Sequence, residues 1–357
     1  MRLLCAISHH GLGHLAQTAP VVNALSGMRP ETEWIVWSGL SRPALDGRLK
    51  PAFTHRHEAA DIGLHMQDAL RVDAEASHLA YGDFHRDWDI RVAREADWMA
   101  EKGILGVLCN VAYLPLAAAA RAGIPALAFS SLNWRDIADH YLGAQADMAP
   151  VLRQMQSAYA GAGAFLRLTP ALPMAWLEKG EDMPPVATLG RPRRDELRAA
   201  LALSPGMRVV MLGFGGVAYR QHAALPALER IVWLVPDDWP GAGRADVACF
   251  SQAGMSFPDA LASCDALVTK VGYGSFVEAA GLGLPVLYLD RPDWPETPWL
   301  SDWLARHTRL EKLSETELFS NAVGRALQRL WQVPGGRATD IYGVPIVARR
   351  ILEILGN

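Results

Sequence analysis

Residues 266–289 constrain the fold of this chain more than any other stretch. They divide into an apolar strand, a glycine turn, a short helix and a second apolar strand, at residues 266–269, 270–275, 276–282 and 286–289. Gly283 and Pro285 end the helix, because glycine closes a helical run and proline cannot continue one. This alternation predicts one unit of a parallel α/β sheet. Its turn would lie at the carboxyl edge of the strands, where ligands of such sheets bind.

The glycine turn has the features of an anion-binding site. We expect Gly272 and Gly274 to let the backbone take tight or left-handed conformations, and Ser275 to cap the helix that follows. Free backbone N–H groups at a helix start then face the edge of the sheet and attract a phosphate. Glu278, one turn further on, is placed to accept a hydrogen bond from a ribose hydroxyl. The turn therefore predicts a nucleoside diphosphate site. The alternative is a structural turn whose glycines bind nothing.

Length and composition favour two globular domains. The chain has 357 residues, of which half are hydrophobic and a fifth are charged, and domains usually contain about 100–200 residues. The net charge of −4 and the absence of a basic cluster predict no nucleic-acid partner. The four cysteines are far apart, as in proteins of a reducing compartment, and the first residues do not read as a signal peptide. We therefore expect a cytoplasmic protein.

One uncharged stretch is long enough to be considered as a membrane span. It covers the 18 residues 103–120, and about 17–25 apolar residues cross a bilayer as a helix. Asn110 and Pro115 divide this stretch, and the pattern around them is that of a strand followed by a helix. We therefore predict no integral membrane segment.

Two series of alternating strands and helices run along the chain, separated by a proline-rich stretch at 169–185. Within them, single helices are expected over 83–101 and over 315–331. The predicted parts are an N-terminal Rossmann-like domain, a C-terminal Rossmann-like domain and a final helix that packs back on the first domain, at 1–175, 176–339 and 340–357. The predicted class is α/β, with two doubly wound domains facing each other across a cleft.

The first predicted strand ends in a turn, Gly11 to Ala16, that formally matches the fingerprint of dinucleotide-binding domains. That fingerprint also needs an acidic residue at the end of the second strand, for the ribose. Here the second strand ends in Trp37, Ser38 and Gly39. A nicotinamide cofactor is therefore not expected.

The same turn contains a candidate general base. Gly13 precedes His14 at the start of a helix, and an imidazole there is suited to take a proton from a hydroxyl nucleophile. His9 and His10 are alternatives for that role. A further alternative is that His14 only packs against the turn or caps it.

A second glycine turn follows the predicted strand at 208–212. Gly215 and Gly216 are candidates to bring backbone N–H groups toward a phosphate, the alternative being a tight turn without a ligand. Lys270, at the end of a buried strand, is a candidate counter-ion for the same phosphate. Otherwise it is a lysine whose side chain extends to the surface.

The loop after the second strand of the opening unit is expected to border the same pocket. Asp293 and Glu296 are candidates to hydrogen-bond sugar hydroxyls, with Trp294 as a stacking face; otherwise the segment is a proline-stiffened surface loop. Asp87 and Asp89 have the spacing of a metal-holding pair, but residues two apart do not share a face of the helix predicted there. We therefore expect no metal and no other cofactor.

The sequence resembles the two-Rossmann-domain (GT-B) glycosyltransferases, in the branch of the peptidoglycan N-acetylglucosaminyltransferase and the small-molecule glucosyltransferases. Gly272 to Pro285 is similar to their donor signature, and Gly13-His14-Leu15 is similar to the turn that holds the base of the plant enzymes. A closer resemblance, over most of the chain, is to the glycosyltransferase-like amino-terminal half of plant L-arabinokinases. It includes residues 10–14, 67–73, 119–134, 212–216, 270–278 and 291–300.

The resemblance implies a donor site and a base. The turn from Gly272 through Tyr273 and Gly274 to Ser275 would hold the diphosphate of a nucleotide sugar. Glu278 would hold its ribose, and His14 would deprotonate an acceptor hydroxyl.

The sequence departs from this pattern at three places. Lys270 stands where many donor sites have a histidine, and Asp293 to Glu296 replaces the Asp-Gln pair that contacts the sugar. Asn110 stands where the plant enzymes have the aspartate that orients the base. An amide orients an imidazole, but it does not stabilise the imidazolium as a carboxylate does.

The predicted function is sugar transfer, with inversion and without metal, from a nucleoside-diphosphate sugar (a UDP-sugar is favoured) to an unknown hydroxyl acceptor. Two alternatives stay open: a non-catalytic module that binds nucleotide sugars, and a sugar-nucleotide epimerase of the same fold. Asp61, Gln67 and Asp73 are candidates for acceptor contacts or for a structural polar network, and the network is favoured.

Overall fold

A computed structural model describes residues 1–215, 219, 224–240, 244–334 and 338–356. The chain forms two compact units. The first contains residues 1–67, 71–187 and the chain from Ile341 onward, and the second contains 68–70 and 188–340. The division falls after residue 187 and not at 175, because the proline-rich stretch contains a short strand of the first sheet.

The first unit is a seven-stranded parallel sheet with helices between its strands. Its elements are β1 (Arg2–Ile7), α1 (Gly13–Met28), β2 (Glu33–Trp37), α2 (Arg42–Asp46), β3 (Phe53–Arg56), α3 (Ala74–His85), α4 (Trp88–Glu101), β4 (Gly106–Asn110), α5 (Leu114–Ala122), β5 (Ala126–Ser130), α6 (Trp134–Leu142), α7 (Met148–Ala160), β6 (Phe165–Leu168) and β7 (Gly180–Met183). The strand order is β3-β2-β1-β4-β5-β6-β7. The chain therefore reverses its direction of winding between β1 and β4, which are neighbours in the sheet.

The second unit contains a six-stranded parallel sheet of the same kind. Its elements are α8 (Arg194–Ala200), β8 (Arg208–Gly213), β9 (Ile231–Val235), β10 (Val247–Cys249), a 3₁₀ turn (Phe250–Ala253), α9 (Phe257–Ser263), β11 (Ala266–Lys270), α10 (Tyr273–Leu282), β12 (Val286–Leu289), α11 (Thr297–Ala305), β13 (Leu310–Leu313), α12 (Glu315–Leu318) and α13 (Ala322–Gln332). The order β10-β9-β8-β11-β12-β13 places the reversal between β8 and β11. The predicted α/β class with two doubly wound sheets is confirmed.

The last helix, α14 (Gly343–Ile354), packs against α1 and β7 of the first unit. Val347, Ala348 and Ile351 are its fully buried apolar residues and form one stripe of the helix. Arg350 ties its outer face to Glu181 of β7 through two hydrogen bonds of 2.8 Å.

Several element boundaries differ from the sequence predictions. The helix expected over 83–101 is two helices, α3 and α4, and the one expected over 315–331 is α12 and α13. Ser314 begins α12 with a capping box, and Ser320 accepts a hydrogen bond from the Ala322 N–H at the start of α13. Such side-chain bonds to the backbone compete with a continuous helix. Strands β7, β10 and β13 have only three or four residues, too few to show a period.

Gly190 packs closely against the backbone of α9, and a substitution at this position tests that contact. A Cβ atom at this position would lie 1.9 Å from the Pro258 carbonyl oxygen and 2.5 Å from the Asp259 nitrogen. Because both atoms belong to the backbone, Gly190→Ala is expected to destabilise the protein by about 1–3 kcal/mol. The free energy of unfolding in urea measures the effect. In the control Gly82→Ala, nothing lies within 4 Å of the new atom, and the exposed helical site should gain up to about 1 kcal/mol. Equal stabilities of the two variants would contradict the packing at Gly190.

Candidate functional sites

The reversal point of the first sheet brings the predicted base next to its amide partner. Ile7, the last residue of β1, is the register partner of Asn110, the last residue of β4. The turn after β1 leads directly into α1, which begins at Gly13. A Cβ atom on Gly13 would meet nothing within 4 Å, so this residue leaves open space beside the helix start. Sheets of this class bind ligands at this kind of edge.

The orientation of the His14 ring is determined by a chain of amide hydrogen bonds. Gln17 donates from Nε2 to the Ser131 hydroxyl at 2.9 Å, so its Oε1 is the acceptor. That oxygen receives hydrogen bonds from Asn110 Nδ2 at 3.1 Å and from the Ser130 hydroxyl at 3.2 Å. Asn110 therefore presents Oδ1 to His14 Nδ1 at 2.9 Å. Because an amide oxygen only accepts, His14 Nδ1 carries the hydrogen and Nε2 carries the lone pair in the neutral ring.

The protonation state of His14 suits a base. The side chain is 5% exposed. Burial lowers its pKa below the usual value, against the opposing effects of the Asp61 charge and the Asn110 hydrogen bond. The nearby His9 lowers the pKa further. At neutral pH the ring is therefore neutral, with Nε2 able to accept a proton.

Asp61 is the centre of a buried polar network in the same unit. Its side chain is fully buried, with Oδ1 accepting from the Ser8 hydroxyl at 3.0 Å and Oδ2 accepting from Trp134 Nε1 at 3.0 Å. His9 Nδ1 lies 3.7 Å from Oδ1, an ion-pair distance, and the adjacent Asp61 carboxylate raises the pKa of His9 against the opposing effect of burial. The sequence reasoning named Asp61 but did not connect it to Ser8, His9 or Trp134.

The other polar candidates of this unit have structural contacts. Asp73 caps α3 by accepting a hydrogen bond from the Ala76 N–H at 3.0 Å. Gln67 makes a backbone hydrogen bond to Arg71 of 2.8 Å across a tight turn. His10 Nδ1 lies 3.1 Å from the Leu64 carbonyl oxygen, which positions a loop.

The glycine turn of the second unit differs from its prediction in two respects. Helix α10 begins at Tyr273, so Ser275 is its third residue and does not cap it. Gly272 precedes the helix with an extended φ of −175°, and neither it nor Gly274 has a positive φ. The turn is short because a single extended residue joins Val271 to the helix. A Cβ atom on Gly272 would meet only the Lys270 carbonyl oxygen, at 3.9 Å. Gly272 thus leaves open space in front of the first-turn N–H groups.

The other glycine turn lies across the reversal point from α10. Thr269 donates its hydroxyl hydrogen to the Gly213 carbonyl oxygen at 2.7 Å, which joins the ends of β11 and β8. Gly215, two residues beyond β8, has a φ of +74°, a conformation that favours glycine. Gly216, also predicted as a ligand contact, lies outside the described residues.

Lys270 and Arg291 form a cationic pair at the carboxyl ends of β11 and β12. Lys270 is the register partner of Leu289, and Arg291 follows that strand by two residues. Lys270 is partly buried, and this burial, together with the charge of Arg291, lowers its pKa to about 7. Glu296 opposes the shift. The sequence reasoning missed Arg291, although a basic residue just after a parallel strand is a usable signal.

The loop after β12 differs from its prediction at Trp294. This side chain is 4% exposed and is not a stacking face for a ligand. It supports Arg291, whose guanidinium lies 4.1 Å from the ring centroid, and it donates from Nε1 to Glu296 Oε2 at 3.0 Å. Glu296 is buried, whereas Asp293 is exposed.

Glu278 and Tyr273 are both buried residues of α10. Glu278 follows Gly274 by four residues, so that the two lie on one face of the helix, one turn apart. Glu278 is the acidic residue of α10, the helix that starts at the same edge of the sheet as Lys270 and Arg291.

Comparisons with known structures identify the fold. The chain is 14% identical to a UDP-glucosyltransferase from Polygonum tinctorium, with a TM-score of 0.59 and coverage of 100% of this chain and 98% of that one. It is 15% identical to the calicheamicin glycosyltransferase CalG4, with a TM-score of 0.57 and coverage of 99% and 94%. A UDP-N-acetylglucosamine 2-epimerase is also similar, at 14% identity, a TM-score of 0.52 and coverage of 100% and 97%. The protein has the GT-B fold.

The sequence comparison points in the same direction as the resemblance described above. The chain is 23% identical over 314 residues to the L-arabinokinase of Arabidopsis thaliana. The match covers 84% of this chain and 29% of that protein, so the chain spans less than a third of the relative's length. No protein-family model matches the chain.

The described residues contain no candidate membrane span and no candidate metal cluster. Within the ranges given above, no helix is both long and apolar enough to cross a membrane. In the same ranges, no group of three or more His, Cys, Asp or Glu side chains is arranged to hold a metal ion.

Proposed function

We propose that this protein is a glycosyltransferase that transfers a sugar, with inversion and without a metal, from a nucleoside-diphosphate sugar to a hydroxyl acceptor. A UDP-sugar is the favoured donor. The observation that carries the proposal is the His14 ring, whose neutral Nε2 is kept available by the Asn110 hydrogen bond at Nδ1. A non-catalytic protein that only binds a nucleotide sugar has no need of such a base.

The second unit would hold the donor. The first-turn N–H groups of α10, at Tyr273, Gly274 and Ser275, are the natural partners of the diphosphate, and the helix dipole favours its charge. Lys270 and Arg291 would add two positive charges at the same edge. Negative charge builds up on the diphosphate as it leaves, so fixed donors there lower the barrier to transfer.

The remaining contacts of the donor are assigned by position. Glu278 would accept a hydrogen bond from the ribose, and Gly215 would add a backbone N–H group toward the phosphates. Asp293 and Glu296 would contact the sugar hydroxyls, with Glu296 already fixed by Trp294.

The first unit would activate the acceptor. His14 Nε2 takes the hydroxyl proton while the acceptor oxygen forms a bond to C1 of the donor sugar. The bond between C1 and the diphosphate oxygen breaks in the same step, and its electron pair leaves with the nucleoside diphosphate. Attack from the face opposite the leaving group inverts the configuration at C1.

An epimerase is the second candidate, because an epimerase is among the proteins with a similar fold. An epimerase would change the donor sugar in the absence of any acceptor. A transferase would leave the sugar intact until an acceptor or water is consumed. Incubation of the protein with nucleotide sugars alone, followed by NMR of the sugar, separates these two activities.

The donor site is tested by calorimetric titration of UDP, GDP and dTDP. We expect one of them to bind and Glu278→Ala to weaken that binding by about ten- to a hundredfold, the effect of losing a charge-assisted contact of about 1.5–3 kcal/mol. Glu229→Ala is the matched control, because Glu229 is an exposed carboxylate that precedes β9 at the opposite edge of the same sheet. If none of the three nucleotides binds, the proposal is wrong.

A further inference from the structure

The candidate base lacks a carboxylate at the position where its ring is held. His14 Nδ1 donates to an amide, Asn110 Oδ1, at 2.9 Å. When the ring takes a proton it becomes a buried cation, and an amide supplies no compensating charge. A buried imidazolium without a counter-charge would be a poor intermediate state. The first unit should therefore contain a carboxylate elsewhere that acts on this ring.

Asp61 is such a carboxylate, and Trp134 connects it to the ring. Trp134 is fully buried and donates from Nε1 to Asp61 Oδ2 at 3.0 Å. The indole meets the His14 ring edge-on, with 5.5 Å between the ring centroids and an interplanar angle of 62°. The Ser8 hydroxyl holds the other carboxylate oxygen, and His9 Nδ1 lies 3.7 Å from that same oxygen. Asp61 is thus fixed with one imidazole beside it and another across an indole.

We infer that Asp61 is the carboxylate that stabilises the imidazolium formed on His14, acting through space, and that it holds His9 as a second imidazole of the same site. This inference rests on the proposed function for its catalytic meaning. Asp61 is a positioning residue in this scheme, because it touches His9 and Trp134 and not the reacting atoms. In this scheme one buried carboxylate, Asp61, acts on two imidazoles, His9 and His14. In the plant enzymes that the sequence resembles, one aspartate orients one histidine.

The electrostatics of the cluster support the inference. Asp61 raises the pKa of His9 at ion-pair distance, 3.7 Å, and its charge acts in the same direction on the pKa of His14, which burial lowers. A charge in the protein interior is weakly screened, so it acts at this range. Its charge also reaches Tyr81, Tyr113, Tyr159 and Cys109, whose pKa values are raised mainly by burial, so all four stay neutral.

The test is an NMR titration of the histidine rings in the free protein, without donor or acceptor. The chain has 11 histidines, and the His9 and His14 signals are assigned from His9→Gln and His14→Gln. In the unaltered protein we expect His9 to titrate above the usual histidine midpoint and His14 below it. Asp61→Asn should move the His9 midpoint to lower pH by about one unit, the size of effect of an adjacent opposite charge. It should move the His14 midpoint in the same direction.

Asn110→Asp provides the complementary variant. It places a carboxylate on His14 Nδ1, so it should raise the His14 midpoint and leave His9 nearly unchanged. In the double variant Asp61→Asn/Asn110→Asp, His14 should recover while His9 stays low. The control is Glu95→Gln, which removes a buried carboxylate that pairs with Arg56 and Arg94. It should move neither midpoint.

Two results would overturn the inference. One is an Asp61→Asn protein that folds and whose His14 midpoint does not move to lower pH, whatever the His9 midpoint does. The other, which needs no variant, is a His9 midpoint at or below the usual histidine value in the unaltered chain. Ser8→Ala adds a mild change that keeps the Asp61 charge. Loss of the hydroxyl removes a donor from Asp61 Oδ1, so the ion pair of that oxygen with His9 should strengthen and the His9 midpoint should rise. Because no measurement here uses substrate, failure of the proposed sugar transfer leaves this test intact.

Discussion

Replacing His14 by glutamine is expected to lower kcat for sugar transfer by about 10²- to 10⁴-fold, the usual contribution of a general base. Glutamine keeps a donor that can reach the Asn110 oxygen, but it has no lone pair of imidazole basicity. The affinity for nucleotide should stay unchanged, because the donor contacts that we propose belong to the second unit. Steady-state kinetics with the best acceptor, combined with calorimetry of nucleotide binding, measures both quantities.

The control for this prediction is His78→Gln. His78 belongs to the same unit and pairs at its surface with Asp147, at 2.8 Å. Its loss should leave kcat within about twofold of the wild-type value, because surface substitutions usually change free energies by no more than about 0.5 kcal/mol. His9→Gln distinguishes the rival base: if it abolishes transfer while His14→Gln keeps full activity, His9 is the base and the role given to His14 is wrong.

The doubly wound fold could be predicted from the sequence because its central strands are long and continuously apolar. Strands β1, β8, β9 and β11 have five or six residues, and nearly all are buried. Buried parallel strands of this kind give a clear apolar run between turn residues. The short outer strands β7, β10 and β13 could not be predicted, since their pairing partners, and not their own pattern, make them strands.

The site could be predicted only where one turn contains all of its parts. The segment from the end of β11 into α10 contains Lys270, Gly272 and Glu278 within nine residues. The network around Asp61 could not be predicted, because its partners are far apart in sequence. Ser8 lies 53 residues away, and Trp134 lies 73 residues away in the other direction. Only the order of the strands brings them to one edge of the sheet.

The start of α10 shows a different limit of sequence reasoning. A serine before an apolar helical run is a common cap, which favoured Ser275 as the residue preceding the helix. The structure begins the helix at Tyr273, because the extended Gly272 leads straight from the strand into helical geometry. This start suits the donor site that we propose, since Gly274 and Ser275 then lie in the first turn, where backbone N–H groups have no partner within the helix.

The second large effect concerns the pH dependence of donor binding. Lys270 has a pKa of about 7 in the free protein, so it is charged below that pH and neutral above it. A bound diphosphate raises this pKa, because it places negative charge beside the ammonium group. Affinity for a nucleotide sugar should therefore be constant below pH 7. Above it, affinity should fall by up to about tenfold per pH unit until the pKa of the complex is reached. The diphosphate of a nucleotide sugar does not itself titrate near neutral pH, so calorimetry with the sugar nucleotide isolates the lysine.

Substitutions at Lys270 show whether the titration of its charge causes the pH dependence of donor binding. Lys270→Met should bind about ten- to a hundredfold more weakly at pH 6, where the lysine is charged, and should lose the pH dependence. Lys270→Arg should also lose the pH dependence, because arginine stays protonated throughout. Lys312→Met is the control: this lysine pairs with Asp290 at 3.1 Å on the surface of the same unit, and its loss should leave the pH profile unchanged. A wild-type affinity that does not change between pH 6 and 9 would mean that Lys270 keeps its proton and is no more than a fixed cation of the donor site.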